Sequence, residues 1–538
     1  MLRTLLFAFI MLILSVDSHS QAFIQSQKIH LNTRLAGDQF GKLVAMSGDY
    51  AAVYTTYDDE DENGLNHIDG SGSVTVFKRD VNGNWNFHQK IVHADRNQYP
   101  AFDGHAFGSG LAMQGNFLVI GAWREAYDVN GQNKMDASGA IYVYELSNGN
   151  FVFKQKLQPS DRGIGDRFGQ AIAVSGDYTV AGAIYEAHDL NGANALTNAG
   201  AAYIFERDQN GTWAQKQKVV AATRYPNDQF GAAVAISSDG YALVSGPFHD
   251  YDANEQNNVG SAGAVFIYER DQNGTWNLLK KQTAPTREYD ARFGNSLAIN
   301  KKTFAIGAVF EDAKNGNNVL KQNCGSVYLY SITNSVVSSA NKYNAPDLDD
   351  GDSYGSSLGL SDDMFVIGAQ GQKEDANNAN TLSVAGAAYV YKNDGNGNYN
   401  FFQMITPNTR YTFDLIGTNC AVSGTDMIFG AYYNDYDLNE ANSLNDAGAA
   451  YIFKFDPQTG VADLEANTFN FYPNPAEDII TIDGIKVEAL RIYNTLGEEV
   501  FVSNIPSQTF DVSALQSGMY FVRVNQQAVL KNPIVVNR

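Results

Sequence analysis

Short apolar runs alternate with polar, glycine-rich turns along most of the chain, and the alternation repeats. In one copy, Phe168-Gly169-Gln170-Ala171-Ile172-Ala173-Val174 is a small, β-branched run, Ser175-Gly176-Asp177 makes a turn, and Tyr178 to Ala183 returns. A long polar segment follows, and Gly200 to Phe205 is a third apolar run. Asp208-Gln209-Asn210-Gly211 predicts a hairpin turn, because an Asn-Gly pair accepts two residues at positive φ. Trp213 to Val219 completes a fourth strand. Four short antiparallel strands make one small twisted sheet. Such a sheet cannot bury both faces alone, so its neighbours must stack on it. The glycines and alanines of the first two strands suit a crowded inner side.

An aromatic or aliphatic residue followed by glycine marks each copy: Phe40-Gly41, Phe107-Gly108, Phe168-Gly169, Phe230-Gly231, Phe293-Gly294, Tyr354-Gly355 and Ile416-Gly417. Successive glycines lie 67, 61, 62, 63, 61 and 62 residues apart. A fixed period of this size means stacked supersecondary units. The fourth strand carries Gln-Lys-apolar, as in Gln89-Lys90-Ile91, Gln155-Lys156-Leu157 and Gln217-Lys218-Val219. The seventh copy stops after Tyr451-Ile452-Phe453, and the missing signature sits at the start of the chain as Gln27-Lys28-Ile29. An N-terminal strand would then complete the last unit and close a ring, which removes open sheet edges. The expected fold is all-β: a seven-bladed β-propeller over residues 21–456, with a linear β-solenoid as the alternative.

These units resemble FG-GAP repeats, the blades of the integrin α-subunit propeller and of many exported bacterial proteins. The resemblance rests on the Phe-Gly pair, on a Gly-Ala pair thirteen residues later (Gly121-Ala122, Gly182-Ala183, Gly307-Ala308, Gly368-Ala369, Gly430-Ala431), and on the third strand, as in Gly139 to Tyr144. The first copy has Tyr54-Thr55 in place of Gly-Ala, and the fourth has Gly246-Pro247 two residues late. The resemblance specifies a fold and leaves activity open.

A polar loop joins strands two and three of each unit, long enough to be a candidate functional surface. Six of these loops share Asp-x-Asn-x-x-Asn: Asp61/Asn63/Asn66, Asp128/Asn130/Asn133, Asp189/Asn191/Asn194, Asp252/Asn254/Asn257, Asp375/Asn377/Asn380 and Asp437/Asn439/Asn442. Asp59, Asp250 and Asp435 add an acid two residues upstream, giving alternating oxygen ligands of the kind that wrap calcium. Integrin-type loops carry a further acid where this chain has His67, with Asp69 nearby. The fifth loop, Lys314 to Asn318, lacks the pattern. Two readings stand: calcium in at least one loop, or Asp and Asn side chains that bond their own backbone and fix the loop's shape.

The ends of the chain carry different signals. Met1 to Ser20 reads as a secretory signal, with Arg3, an apolar run from Leu5 to Leu14 and Ser18-His19-Ser20 as the cleavage site; a retained anchor is the alternative. Residues 457–468 read as a linker. Residues 469–538 alternate strands with proline and glycine turns, which suggests a small Ig-like β-sandwich. Tyr472-Pro473-Asn474-Pro475, the Leu496-Gly497 turn and the Gly518-Met519-Tyr520-Phe521-Val522 strand resemble the C-terminal sorting domain of the type IX secretion system of Bacteroidetes. That resemblance implies engagement with the type IX machinery and delivery to the cell surface or the medium.

Composition narrows the partners. With 37 Lys and Arg against 59 Asp and Glu the net charge is −22, which repels phosphate backbones and excludes nucleic acid as an expected partner. No later segment is apolar and long enough to span a bilayer. Cys324 and Cys420 are the only cysteines, and two free thiols are expected. Gly355-Ser356-Ser357-Leu358-Gly359 matches a nucleophile-elbow pattern but falls on a first strand in repeat register with no helix to follow. The reading is a non-catalytic binding or adhesion module for an unknown protein or glycan ligand. The alternatives are a hydrolase or lyase with a site in the channel, or a structural surface-matrix component.

Overall fold

The computed structural model describes residues 22–93, 106–377, 379–456, 470–483, 486–494, 499–525 and 534–537. The expected signal segment, the linker and Gly497 lie outside them. The chain divides into two units, one of them Phe23–Phe455, and among the described residues every regular element is a strand.

The larger unit contains seven principal sheets, six of four strands and the fifth of five, together with a two-stranded ribbon. In the third sheet Phe168–Ser175, Tyr178–Ala183, Ala201–Arg207 and Trp213–Val219 pair in chain order, each antiparallel to the next. The first strands of successive sheets touch one another. Phe40–Ser47, Phe107–Gln114, Phe168–Ser175, Val234–Ser237, Phe293–Asn300, Tyr354–Leu360 and Cys420–Ser423 run in that order, and the last returns to the first. These strands therefore line the centre of a closed ring. At one end of it their hairpin tips are linked: Gly115 N donates to Ser47 Oγ (2.9 Å), Gly176 N to Gln114 Oε1 (3.0 Å) and Gly48 N to Ser423 Oγ (2.8 Å).

The repeat motifs mark the seams between sheets. A Cβ added to Gly121, Gly182, Gly368 or Gly430 would strike the carbonyl of Gly169, Gly231, Gly417 or Gly41 respectively, in the neighbouring sheet. Gly182 thus meets Gly231 backbone to backbone, which is why one sheet's Gly-Ala pair and the next sheet's Phe-Gly pair recur together. At every seam the amide before that glycine donates to the preceding sheet: Phe107 to Ser71, Phe168 to Ser138, Phe230 to Ala199, Phe293 to Ala262, Tyr354 to Cys324, Ile416 to Ala385, and Phe40 to Ala447 at 3.1 Å. The last of these joins the first sheet to the seventh.

The outer strands supply a second belt. The side-chain amide of Gln89 exchanges two hydrogen bonds with the backbone of Phe151, Gln155 with Trp213, and Gln217 with Trp276. Ala22–Ile29 completes the seventh sheet beside Ala449–Asp456. It sits in the same belt: Gln403 bonds Phe23 on one side, and Gln27 bonds Trp85 on the other. The core is a series of clusters between adjacent sheets, such as Val180, Ile204, Val234, Val244 and Phe266.

One sequence expectation needs correcting. In the fourth sheet Ser245 and Gly246 occupy the Gly-Ala position, since Gly246 pairs with Ala264 as Ala183 pairs with Ala201. The offset is one residue and comes from a longer turn: Ser237 pairs with Tyr241, whereas Ser175 pairs with Tyr178.

In the C-terminal unit, Asn470–Tyr472, Ile479–Asp483 and Thr509–Asp511 form one sheet, and Glu499–Ser503, Leu490–Tyr493, Gly518–Val524 and Ile534–Val536 another. Ile480, Ile482, Leu490, Ile492, Phe510, Val522 and Ile534 from both sheets share a single core. Asn474 Oδ1 accepts the Val535 amide at 2.8 Å, tying the Tyr472-Pro473-Asn474-Pro475 opening to the last strand. Gly518 begins the central strand of the second sheet.

Candidate functional site

The long loops leave the ends of the second strands, and their side chains are engaged within the loop. Asp189 Oδ1 accepts the amides of Asn191 (2.8 Å) and Ala193 (3.0 Å), and its Oδ2 accepts Asn194 Nδ2 (2.6 Å). Asp61, Asp128, Asp252, Asp375 and Asp437 do the same in their own loops. Asn63, Asn130, Asn191, Asn254 and Asn439 each supply a backbone amide to the aspartate. These donors hold the carboxyls of Asp252 and Asp437 down at about 2, with the amides of Gln256 and Ala441 the largest causes. In the fifth loop Asn315 takes over, accepting the amides of Asn317 and Val319.

The upstream acids close the loop from the other side. Asp59 accepts the Gly70 amide, Asp250 that of Ser261 and Asp435 that of Asp446. Burial raises the Asp59 carboxyl above its ordinary value. Among the described residues one group of three metal-capable side chains converges: Asp59, His67 and Asp69, with ligand atoms within 4.8 Å of one another. Calcium takes roughly six to eight oxygen ligands. Here the shared aspartates have both oxygens on N–H donors, and the converging trio contributes an imidazole nitrogen. As folded, the shared aspartates spend acceptor capacity on their own loop's N–H groups.

A charged or polar side chain sits at each loop's root, three residues past the second strand: Asp58, Glu125, Glu186, His249, Glu311, Gln372 and Asn434, all buried. The Lys of the Gln-Lys signature reaches it. Lys90 pairs with Asp58 at 2.7 Å, Lys156 with Glu125 at 3.4 Å, Lys218 with Glu186 at 3.5 Å and Lys342 with Glu311 at 2.5 Å. His93 adds to the Glu125 site, bonded to the carboxylate at 2.8 Å and in contact with Tyr142. At the fourth root His249 bridges Asp228 and Lys281. At the sixth the acid–lysine pair is replaced, with Gln372 bonded to Tyr389 and to the Asp347 carboxylate and Met404 standing where the lysine would be. Lys28 fills the role at the seventh root through Glu440 and the Asp437 carbonyl.

Sequence reasoning missed an arginine clamp on the same loops. Arg34, Arg162, Arg224, Arg287 and Arg410 each lie seven residues before a repeat glycine. Each guanidinium donates to two carbonyls of the preceding sheet's loop, as Arg287 does to Asn257 (2.6 Å) and Asp250 (2.5 Å). Arg34 clamps the seventh loop at Asp435 and Asn442, once more across the ring closure. The arginine offset was the signal available. Leu348 takes that position opposite the fifth loop, the one that lacks the Asp pattern.

Inside the loops, at the same mouth of the channel, side chains differ from sheet to sheet. They flank the start of the first strand and the end of the second, the two innermost strands. The Arg167 guanidinium lies between Trp123 and Tyr185, its carbon 4.4 and 4.6 Å from the ring centres. Arg124 also covers Trp123, at 4.7 Å. Arg292 lies between Phe248 and Phe310 at 4.9 and 4.8 Å, and Lys42 sits 3.6 Å over Tyr432. The serines of the elbow-like motif lie on the channel wall as seam residues: Ser356 and Ser357 donate to the Gly417 carbonyl at 2.9 and 2.7 Å. Neither cysteine is bridged. His188 pairs with Glu186 at 3.0 Å.

A closed ring of small four-stranded antiparallel sheets is a β-propeller. The family model for the FG-GAP repeat matches residues 23–77, 85–144, 151–205, 213–268 and 338–391, more than half of the chain. The chain belongs to the FG-GAP repeat family. Each match joins an outer strand to the first three strands of the next sheet. The fifth and seventh sheets, whose first three strands are not matched, are the one without the aspartate loop and the one opening on Ile416. The family model for a secretion system C-terminal sorting domain matches residues 470–537, which supports engagement of the tail with the type IX secretion system and export to the cell surface or medium. Among solved structures the chain is similar to the WD40 domain of Neurospora crassa Pan2, at 10% identity over 81% of this chain and 96% of that one, with a TM-score of 0.43. A chain from a mitotic checkpoint complex matches at 11% identity over 84% of this chain and 99% of that one, with a TM-score of 0.41. The comparison with curated proteins returned no match. Among the described residues no helix is long and apolar enough to cross a membrane.

Proposed function

We propose that this chain is a non-catalytic binding protein, exported and presented at the cell surface or in the medium, that engages its partner at the loop-side mouth of the propeller channel. The observation carrying this reading is the division of labour at that mouth. Side chains that recur from sheet to sheet are mostly engaged with their own loops and seams, whereas Trp123, Arg124 and Lys42 each occur in one sheet alone and Arg167 has a counterpart only in Arg292. A repeated group serves the repeat, and a group found once at a shared mouth is available for recognition. The serines and perturbed carboxyls that would attract a catalytic reading are bound into seams and loop roots. We assign the Asp-x-Asn loops a shaping role and give calcium no part in binding. The sorting tail accounts for delivery.

An array of glycans and matrix proteins, probed with the purified chain in calcium and in chelator, tests the proposal. Retention of a defined partner in both conditions, with that partner unchanged in mass, is the expected result. Turnover of any arrayed polymer, or silence across the whole array, would overturn it.

A further inference from the structure

The mouth holds cations with no anionic partner. Arg124, Arg167 and Lys42 form no ion pair and their side chains donate no hydrogen bond among the described residues; their recorded partners are aromatic rings. Elsewhere the arginines are spent. Arg79 pairs with Asp49 and Asp426, Arg270 with Glu206, and the clamps with loop carbonyls. Both guanidinium carbons lie within 4.7 Å of the Trp123 ring centre, so two like charges share one ring, an arrangement that costs energy until an anion joins them. In a chain of net charge −22 this placement stands out.

The rings fix what the cations can do. Stacking on an indole or phenol occupies the face of a guanidinium and leaves its N–H edges pointing along the plane, where a carboxylate or sulfate accepts two parallel hydrogen bonds. Trp123 and Tyr185 add apolar surface of the kind that packs against the C–H face of a sugar ring.

Building on the binding reading above, we propose that the Trp123–Arg124–Arg167–Tyr185 rim is the docking site of an acidic glycan, whose carboxylate or sulfate bridges Arg124 and Arg167 while a sugar ring lies against the aromatics. Lys42 over Tyr432 offers a second contact across the mouth.

The test is biolayer interferometry of the purified full-length chain against immobilised polygalacturonate, dextran sulfate, neutral dextran and poly-glutamate. Binding to one or both acidic glycans is expected, with little response to neutral dextran or poly-glutamate. Preference for polygalacturonate identifies the anion as carboxylate, and preference for dextran sulfate as sulfate. The R124Q/R167Q variant should weaken that binding by at least about tenfold, about 1.4 kcal/mol. The exposed single variant R124Q, which leaves the Arg167 stack in place, should show a smaller loss. Equal binding to poly-glutamate would replace the glycan with charge alone and overturn the proposal. Unchanged binding by a folded double variant would overturn the site. Silence toward both acidic glycans would overturn the proposal as well. If neutral dextran or an arrayed protein binds in that case, the binding-module reading stands and only the acidic glycan falls.

Discussion

Two sets of side chains share one end of this propeller, and they use the same residue types for opposite ends. In the outer loops the shared aspartates and the clamp arginines are spent on the chain itself: Asp189 holds three N–H groups, and Arg224 clamps the carbonyls of Ala187 and Asn194. At the inner rim Arg124 and Arg167 hold nothing but rings. The outer set recurs around most of the ring, whereas at the rim Trp123, Arg124 and Lys42 each occur once and the Arg167 position carries a second arginine only at Arg292. A repeat protein has to shape each copy by the same means, so recurrence marks the scaffold and its interruption marks the candidate surface. Changes to the outer set should therefore cost stability and spare binding, and changes to the rim should do the reverse.

The largest stability effect is expected at a loop root. Asp58→Ala leaves Lys90 buried without its carboxylate, and such a loss costs about 3–5 kcal/mol. The sixth sheet does without the acid–lysine pair, carrying Gln372 and Met404 at those two positions with Asp347 bonded to Gln372. The double variant D58N/K90M should recover most of the loss in urea denaturation. Asp58 also accepts the Ser73 hydroxyl at 2.5 Å, and a double variant as unstable as the single one would mean that Asp58 acts through Ser73 and not through the lysine.

Next comes the clamp. Arg224→Ala removes charge-assisted hydrogen bonds to two carbonyls of the neighbouring loop and should cost about 1.5–3 kcal/mol. Asp189→Ala frees exposed loop amides to water and should lower the melting temperature by less than Arg224→Ala does. Both variants should keep full binding. Calcium and chelator should give the same melting temperature, because the aspartates already hold N–H donors. A rise of several degrees in calcium would show that an ion displaces those donors and would move the loops into the binding set.

The two kinds of carboxyl also predict a pH window. Burial raises Asp38, Asp352 and Asp414 to about 7, and Asp166 likewise with Glu186 adding to the shift. A raised acid contributes stability that is complete below its unfolded value and is lost as pH rises through about 7. The loop acids Asp252 and Asp437, held at about 2, contribute above their unfolded value and lose that contribution as pH falls toward 2. Melting temperature should therefore be higher near pH 5.5 than at pH 8, then fall again in strong acid. A melting temperature that climbs steadily from pH 5.5 to 8 would contradict the buried assignment of these aspartates.

How much of this could be read from the chain follows the same division. The Phe-Gly and Gly-Ala pairs announced the seams because backbone contact between sheets admits only small residues, and Gln27-Lys28 announced the closing strand because it copies a signature found elsewhere. The Asp-Asn loops were legible as loops but not as ligands or shapers. That choice depends on where N–H groups point, and in the fold they point at the aspartates. The arginine clamp was visible as an offset of seven from five of the repeat glycines and was missed because it lies in a polar stretch. His93 and His249 carry no repeat signature, and only the fold buries them at loop roots. The rim was illegible: Trp123 and Arg167 lie in different repeats, and only the ring brings the indole under the guanidinium.

The smallest effect gives the sharpest test of the comparison. Arg124 is exposed and touches one ring, so Arg124→Gln should change unfolding free energy by no more than about 0.5 kcal/mol, the ordinary range for a surface site. Arg167 stacks on two rings, and Arg167→Gln should lose about 1 kcal/mol with them. A larger loss from either would make the rim part of the scaffold, and its irregularity would then reflect packing against particular neighbours. If both variants melt close to the parent while contact with an acidic glycan weakens, the same residue type that holds the outer loops together is holding a partner at the rim, and the two regions are separated by function as well as by position.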